Sequence, residues 1–246
     1  EANIRPTTIL VSLMWANNET GVLFPVERIA QICQARGALF HCDAVQAVAK
    51  VPVDVRQVAV DYLTLSGHKF HAPKGIGALY VRRQRPFTPL IYGGHQERGL
   101  RGGTENVALI AGLGVAAELA RKRVAEYDAT VRRLRDALEQ GILESIPNTE
   151  RNGHPTERLP NTTNITFHGV ESEALLLLLD QVGICASSGS ACLADSDEPS
   201  HVVKAMKPQT AASRQMVRFS LGWQTTRQEI TETLAAVKSA VAALRG

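Results

Sequence analysis

Lys69, in the stretch SGHKFHAPKG, stands between two histidines just past the Ser-Gly that closes an apolar run. An amine at the lip of an α/β crevice can form a Schiff base with a carbonyl once it loses its proton, which partial burial and nearby cations such as His68 and His71 favour. Further upstream, HCDAVQA sets an acid, Asp43, and an amide, Gln46, at the end of another apolar run. A carboxylate there suits a nitrogen heterocycle that acts as an electron sink only while its ring nitrogen is protonated. Ser66 and His68, with the backbone N–H groups around Gly67, supply the donors a phosphate requires. Arg218, in VRFSLG, carries a fixed two-pronged donor suited to a substrate carboxylate.

The elements that must position these groups read as strands alternating with helices. TTILVSLM (7–14), ALFHCDAV (38–45), DYLTLSG (61–67) and IGALYVRR (76–83) are short apolar, β-rich runs, and PVERIAQICQARG is a helix opened by Pro25 and closed on Gly37. That alternation argues for an α/β fold with a mostly parallel sheet, in which ligands sit at the carboxyl ends of the strands. Asn17, Asn18, Asp43, Gln46, Ser66, His68 and Lys69 all fall at such ends. From about residue 104 the pattern turns helical, and NVALIAGLGVAAELARKR followed by YDATVRRLRDALEQGILESI reads as two helices in series at a domain junction. A strand (NTTNITFHG), a helix (ESEALLLLLDQ), a strand (MVRFSLG) and a last helix capped by Thr226 with Glu229 complete the chain. The expected division is a large α/β domain over 1–122 and a smaller C-terminal α+β domain over 123–246.

Composition excludes several function classes. With 246 residues, 44% hydrophobic and 21% charged, the chain can bury a sizeable core. A net charge of +3 lacks the concentrated basicity of a nucleic-acid binder, and no apolar run is long enough for a membrane helix. Cys33, Cys42, Cys185 and Cys192 show neither CxxC spacing nor disulfide density, which points to a reducing cytoplasm. Cys33, Cys42 and Cys185 read as structural thiols. Cys192 differs, because SSGSACLADSDEPS is rich in Ser, Gly and Asp and reads as an exposed mobile loop. The seven histidines form no HExxH pair and no zinc spacing with cysteine, so no intrinsic metal site is expected, and no GxSxG elbow is present.

The stretches MWANNETG, HCDAVQA, LSGHKFHAPKG, GGHQERGLRGGTEN, SSGSACLADSDEPSHV and VRFSLG, in that order, resemble the NifS-type cysteine desulfurases. These are pyridoxal-phosphate enzymes of the class-V aminotransferase family, with an aspartate-aminotransferase-like fold. The resemblance implies that Lys69 holds the cofactor as a Schiff base, Asp43 pairs with its ring nitrogen and Gln46 bonds its phenolic oxygen. It implies that Ser66, Gly67 and His68 bind the phosphate, that Asn18 and Arg218 lie at the cofactor and the substrate carboxylate, and that Thr104 reaches the phosphate of a second subunit's cofactor. Cys192 would be the nucleophile that takes sulfur from L-cysteine as a persulfide, leaving L-alanine. Any contact with a nascent iron–sulfur cluster would run through that persulfide.

The same resemblance implies a cytoplasmic homodimer that hands sulfur to an iron–sulfur scaffold or other acceptor protein, nitrogenase assembly included. In this family the chain begins well before MWANNETG, so an N-terminal part with a phosphate loop and a ring-stacking histidine is expected to be missing. Two alternatives stand beside the desulfurase: a related lyase or aminotransferase on the same fold, for which Cys192 is incidental, and a non-catalytic scaffold chain. Replacement of Cys192 by serine separates the first of these from a desulfurase.

Overall fold

The computed structural model describes residues 1–189 and 198–246. They form two compact units: one comprises Glu1–Trp15 and Phe24–Ala125, the other Ala16–Leu23 and Glu126–Gly246. The sequence suggests a single cut near residue 122, whereas the short segment Ala16–Leu23 belongs to the second unit although both its flanks belong to the first.

The first unit is built on a four-stranded sheet of β1 (Leu10–Met14), β2 (Leu39–Asp43), β3 (Tyr62–Ser66) and β4 (Gly77–Val81), in that spatial order. The first three strands run parallel and β4 pairs antiparallel to β3. The register sets Met14 beside Asp43 and Asp43 beside Thr64, so the carboxyl ends of the three parallel strands share one edge of the sheet. In β2 the alternation is plain: Phe40 and Cys42 are buried while Leu39, His41 and Asp43 are half-buried. β1 leaves Leu10 and Leu13 exposed, and Ile9 just before it as well.

Helix α1 (Val26–Ala35) buries Val26, Ala30 and Cys33, the i, i+4, i+7 stripe of one face. It ends because Gly37 turns left-handed at φ 70°. The Ala38 N–H then returns to the Cys33 carbonyl at 3.0 Å and the Gly37 N–H to that of Gln34 at 3.2 Å, so the last carbonyls are satisfied as the chain enters β2.

Where two helices in series are expected, the structure has one, α2 (Val107–Ser145), of 39 residues. The residues between the two expected helices, Val124 to Glu126, include neither Pro nor Gly, and nothing in them breaks the hydrogen-bond ladder.

The second unit carries a three-stranded antiparallel sheet, β5 (Thr149–Arg151), β6 (Thr162–Phe167) and β7 (Met216–Ser220), with β6 in the centre and buried along its whole length. Ile165 and Phe167 join the core formed with Leu138 and Ile142 of α2, Leu175 and Leu179 of α3 (Ser172–Asp180), and Val237 and Val241 of α5 (Arg227–Arg245). The opposite side of β6 is polar: Asn152 Nδ2 donates to Asn164 Oδ1 and to Thr166 Oγ1, each at 2.8 Å. A short helix, α4 (His201–Met206), follows the undescribed residues. Thr226 and Glu229 form the reciprocal cap of α5 that their spacing leads one to expect.

Candidate active site

Seven of the expected site residues lie in the first unit, six of them at the edge shared by the strand ends. Asp43 is the last residue of β2, and its Oδ1 accepts the Val45 N–H at 2.9 Å, which points the carboxylate along the turn that follows. That turn winds through residues 44–51, with the Val48 N–H on the Ala44 carbonyl and the Val51 N–H on the Ala47 carbonyl, both at 3.0 Å. Gln46 lies in it, half-buried.

Ser66 ends β3, and residues Gly67–Phe70 close at once into a single 3₁₀ turn. Phe70 is buried and anchors that turn, while His71, at φ 70°, reverses the chain towards β4. Gly67 has no room for a side chain: a Cβ there would stand 2.9 Å from that of Ala72 and 3.0 Å from the Ile76 carbonyl oxygen. Only glycine lets the turn pack this tightly against Ala72 and Ile76.

Lys69 is half-buried and makes no hydrogen bond or ion pair among the described residues, and the same holds for the Ser66 hydroxyl and the His68 ring. An amine with no counter-ion, a hydroxyl and an imidazole with no partner, and a backbone stripped of Cβ fit a phosphorylated aldehyde. Thr104, in the loop before α2, is exposed and likewise unengaged among the described residues.

Asn18 and Arg218 lie in the second unit, where the structure brings them together: Arg218 Nη1 donates to the Asn18 carbonyl at 2.9 Å. Arg218 belongs to β7, and its main chain pairs with Ser187, its N–H reaching the Ser187 carbonyl at 2.7 Å. Asn18 is held by the turn ANNETGVL. Asn17 Oδ1 accepts the N–H groups of Glu19 and Thr20 at 3.0 and 2.9 Å, and Gly21, at φ 74°, closes the turn with its N–H on the Asn17 carbonyl. Asn164 Nδ2 fastens this turn to β6 through the Glu19 carbonyl at 3.2 Å.

The class-V aminotransferase model matches residues 1–232. The chain belongs to the class-V aminotransferase family.

Among curated members, a cysteine desulfurase of Gluconacetobacter diazotrophicus is 54% identical over 98% of this chain, and the cysteine desulfurase NifS of Azotobacter vinelandii is 54% identical over 96% of it. The chain spans about 60% of the length of these relatives. A solved NifS-like protein of Rickettsia africae superposes with a TM-score of 0.88 at 34% identity, over 98% of this chain and 64% of the other. The fold is that of NifS-like proteins, an α/β architecture on a mostly parallel sheet.

Within this family member the thiols divide sharply. Cys42 is fully buried in β2, and burial, helped by the charge of Asp43, pushes its thiol up to about 12. Cys33 is raised too, by burial first and then by Asp61. In both, burial favours the protonated thiol. Cys185, expected to be structural, is instead exposed, although Ile184 and Ala186 on either side of it pack against the core. Cys192 lies outside the described residues.

Sequence reasoning alone does not single out Glu19, since an acid in a polar turn reads as solvated. It is fully buried: its carboxylate accepts the Ser200 hydroxyl, and His201 Nδ1 stands 3.9 Å away. Ser200 also caps α4 by accepting the Val203 N–H at 3.0 Å. The only sequence signal for Glu19 is its place inside a turn that Asn17 and Gly21 fix.

Proposed function

We propose that this chain is part of a pyridoxal-phosphate-dependent cysteine desulfurase, which converts L-cysteine to L-alanine and carries the sulfur away on Cys192. The observation that carries the reading is Lys69, a half-buried amine with no partner among the described residues, set in a glycine-opened turn on the strand-end edge that also bears Asp43. Close relatives named cysteine desulfurase support the choice of substrate.

Lys69 Nζ would hold the cofactor covalently, Ser66 and His68 with the Gly67 backbone its phosphate, Asp43 its ring nitrogen and Gln46 its phenolic oxygen. Bound there, pyridoxal phosphate supplies an electron sink for negative charge at the substrate α-carbon. Lys69 Nζ, when not bound to the cofactor, would be the base that takes the substrate α-proton and the acid that gives it back. Asp43 keeps the ring nitrogen protonated throughout, since a carboxylate beside it favours the charged form. Arg218 grips the substrate carboxylate with Asn18 beside it. The Cys192 thiolate attacks the substrate sulfur: a sulfur–sulfur bond forms and the carbon–sulfur bond breaks, leaving a persulfide on Cys192 and, after protonation, alanine. The persulfide passes to an acceptor, for which an iron–sulfur scaffold protein is the proposed partner. A homodimer in the cytosol, with Thr104 serving the second subunit's phosphate, completes the reading.

The test is Cys192→Ser in protein loaded with pyridoxal phosphate. Retention of the visible cofactor band with loss of at least about 100-fold in cysteine-dependent sulfide release supports the reading. Sulfide release within a few-fold of wild type overturns it and favours a lyase. Gly67→Ala is expected to raise the Kd for pyridoxal phosphate roughly tenfold, a loss of about 1.4 kcal/mol, in an absorbance titration, because the new methyl must displace Ala72 or the Ile76 carbonyl.

A further inference from the structure

The mechanism above leaves one charged group beside the cofactor residues unused. Lys50 Nζ donates to Gln46 Oε1 at 2.8 Å and to the Gln46 carbonyl at 3.0 Å. The contact is built by the turn: Ala49, a residue with a side chain, is held at φ 68°, and the Lys50 N–H bonds the Ala47 carbonyl at 3.0 Å, which folds residue 50 back over residue 46. A left-handed alanine costs free energy, so the rest of the turn must impose it.

An ammonium can only donate. Its presence fixes which end of the Gln46 amide faces it: the oxygen is turned to Lys50, and the NH₂ end, which bonds nothing else among the described residues, is left to serve a ligand. Without Lys50 the amide could present either end. An ionised phenolic oxygen accepts hydrogen bonds and is repelled by a carbonyl oxygen, so only one orientation is useful. The charge on Lys50 also polarises the amide and strengthens its outward donors.

We propose that Lys50 is a positioning residue for the cofactor, acting through Gln46: it locks the amide so that Nε2 donates to the ring oxygen of pyridoxal phosphate and thereby sets the protonation behaviour of the bound chromophore. This rests on the reading that Lys69 carries that cofactor. A donor on the ring oxygen would draw its negative charge away from the protonated nitrogen that Lys69 contributes beside it, and so lower the pH at which that nitrogen loses its proton. Loss of Lys50 therefore raises it.

The experiment is a spectroscopic pH titration of cofactor-loaded protein, comparing wild type, Lys50→Met, Gln46→Ala and the double variant, with Lys50→Ala in reserve should the methionine variant not fold. The expected result is a rise of roughly 0.5–1 unit in the midpoint of the visible band for each single variant, about the strength of one hydrogen bond, and no further rise in the double variant. A wild-type midpoint in Lys50→Met, with Gln46→Ala shifted, overturns the role of Lys50 and leaves the cofactor reading intact. A Lys50→Met shift that persists in the Gln46→Ala background overturns it as well, since the charge would then act directly. A wild-type protein with no visible band that borohydride fixes at Lys69 overturns both readings.

Discussion

On the proposed function, Lys69→Ala is expected to abolish covalent cofactor attachment and to lower the rate of alanine formation by at least about 1,000-fold, since it removes the amine proposed to condense with the cofactor's carbonyl and to move the α-proton. The cost in stability should be small, within about 1 kcal/mol, because the side chain is half-buried and has no partner among the described residues to orphan. Gly67 and Phe70, the buried residues of the turn, remain in place to hold its shape. Borohydride treatment followed by mass analysis reads the first effect and single-turnover assays the second. A variant that still acquires the cofactor mass, or works within tenfold of wild type, would place the chemistry on another residue.

The largest effect on folding is expected at Glu139, far in kind from any catalytic group. Its carboxylate accepts from Arg158 Nη1 at 2.6 Å and Nη2 at 3.0 Å, from Arg151 at 3.0 Å and from the Thr163 hydroxyl at 2.6 Å. The Arg158 side chain is 2% exposed, so Glu139→Ala leaves a buried guanidinium with no ion-pair partner among the described residues. Loss of one partner from such a pair typically costs about 3–5 kcal/mol. Denaturant titration should show that loss in the transition of the second unit, and a change below about 1 kcal/mol would mean that water enters the cluster freely.

The same residue gives a pH signature. Burial, the strongest influence, works to raise its carboxyl pKa, but the hydrogen bonds from Arg158 and Thr163, with the Arg158 charge and Arg151, outweigh it and hold the carboxyl below its ordinary range. A depressed folded-state pKa means that the stabilisation is fully present above the ordinary carboxylate range and fades as the pH falls through the lowered value. Wild type should therefore lose its advantage over Glu139→Gln in strongly acidic solution.

The strand ends were legible because the first three strands are short apolar runs closed by polar or glycine residues, and Asp43 and Ser66 stand where those runs stop. Lys69 alone reads as a solvated loop lysine, and it stands out only beside Asp43 and Gln46 at another strand end and with the family resemblance. The single helix α2 was not legible: two windows of helical periodicity meet at residues that neither continue the apolar stripe nor break the backbone, and only the hydrogen-bond ladder decides between one helix and two. Glu19 and Lys50 were invisible for another reason. Their importance lies in contacts, with Ser200 and with the Gln46 amide, that residue type and local spacing do not announce.

The turn of residues 16–23 is separated in sequence from most of what it touches: Asn18 meets Arg218, Glu19 meets Asn164 and Ser200, and the Leu159 N–H bonds the Gly21 carbonyl at 2.8 Å. A fragment cut at residue 126 would therefore lack a piece of its own interior, exposing the polar side of β6 that Asn164 occupies. During synthesis the turn emerges early and must wait for β6 and β7 before it finds its seat, closing loops of more than a hundred residues, a separation that slows folding more than it weakens the finished state. Linking residues 16–23 to the amino end of that fragment by a flexible tether is the dissection that should yield a soluble second unit.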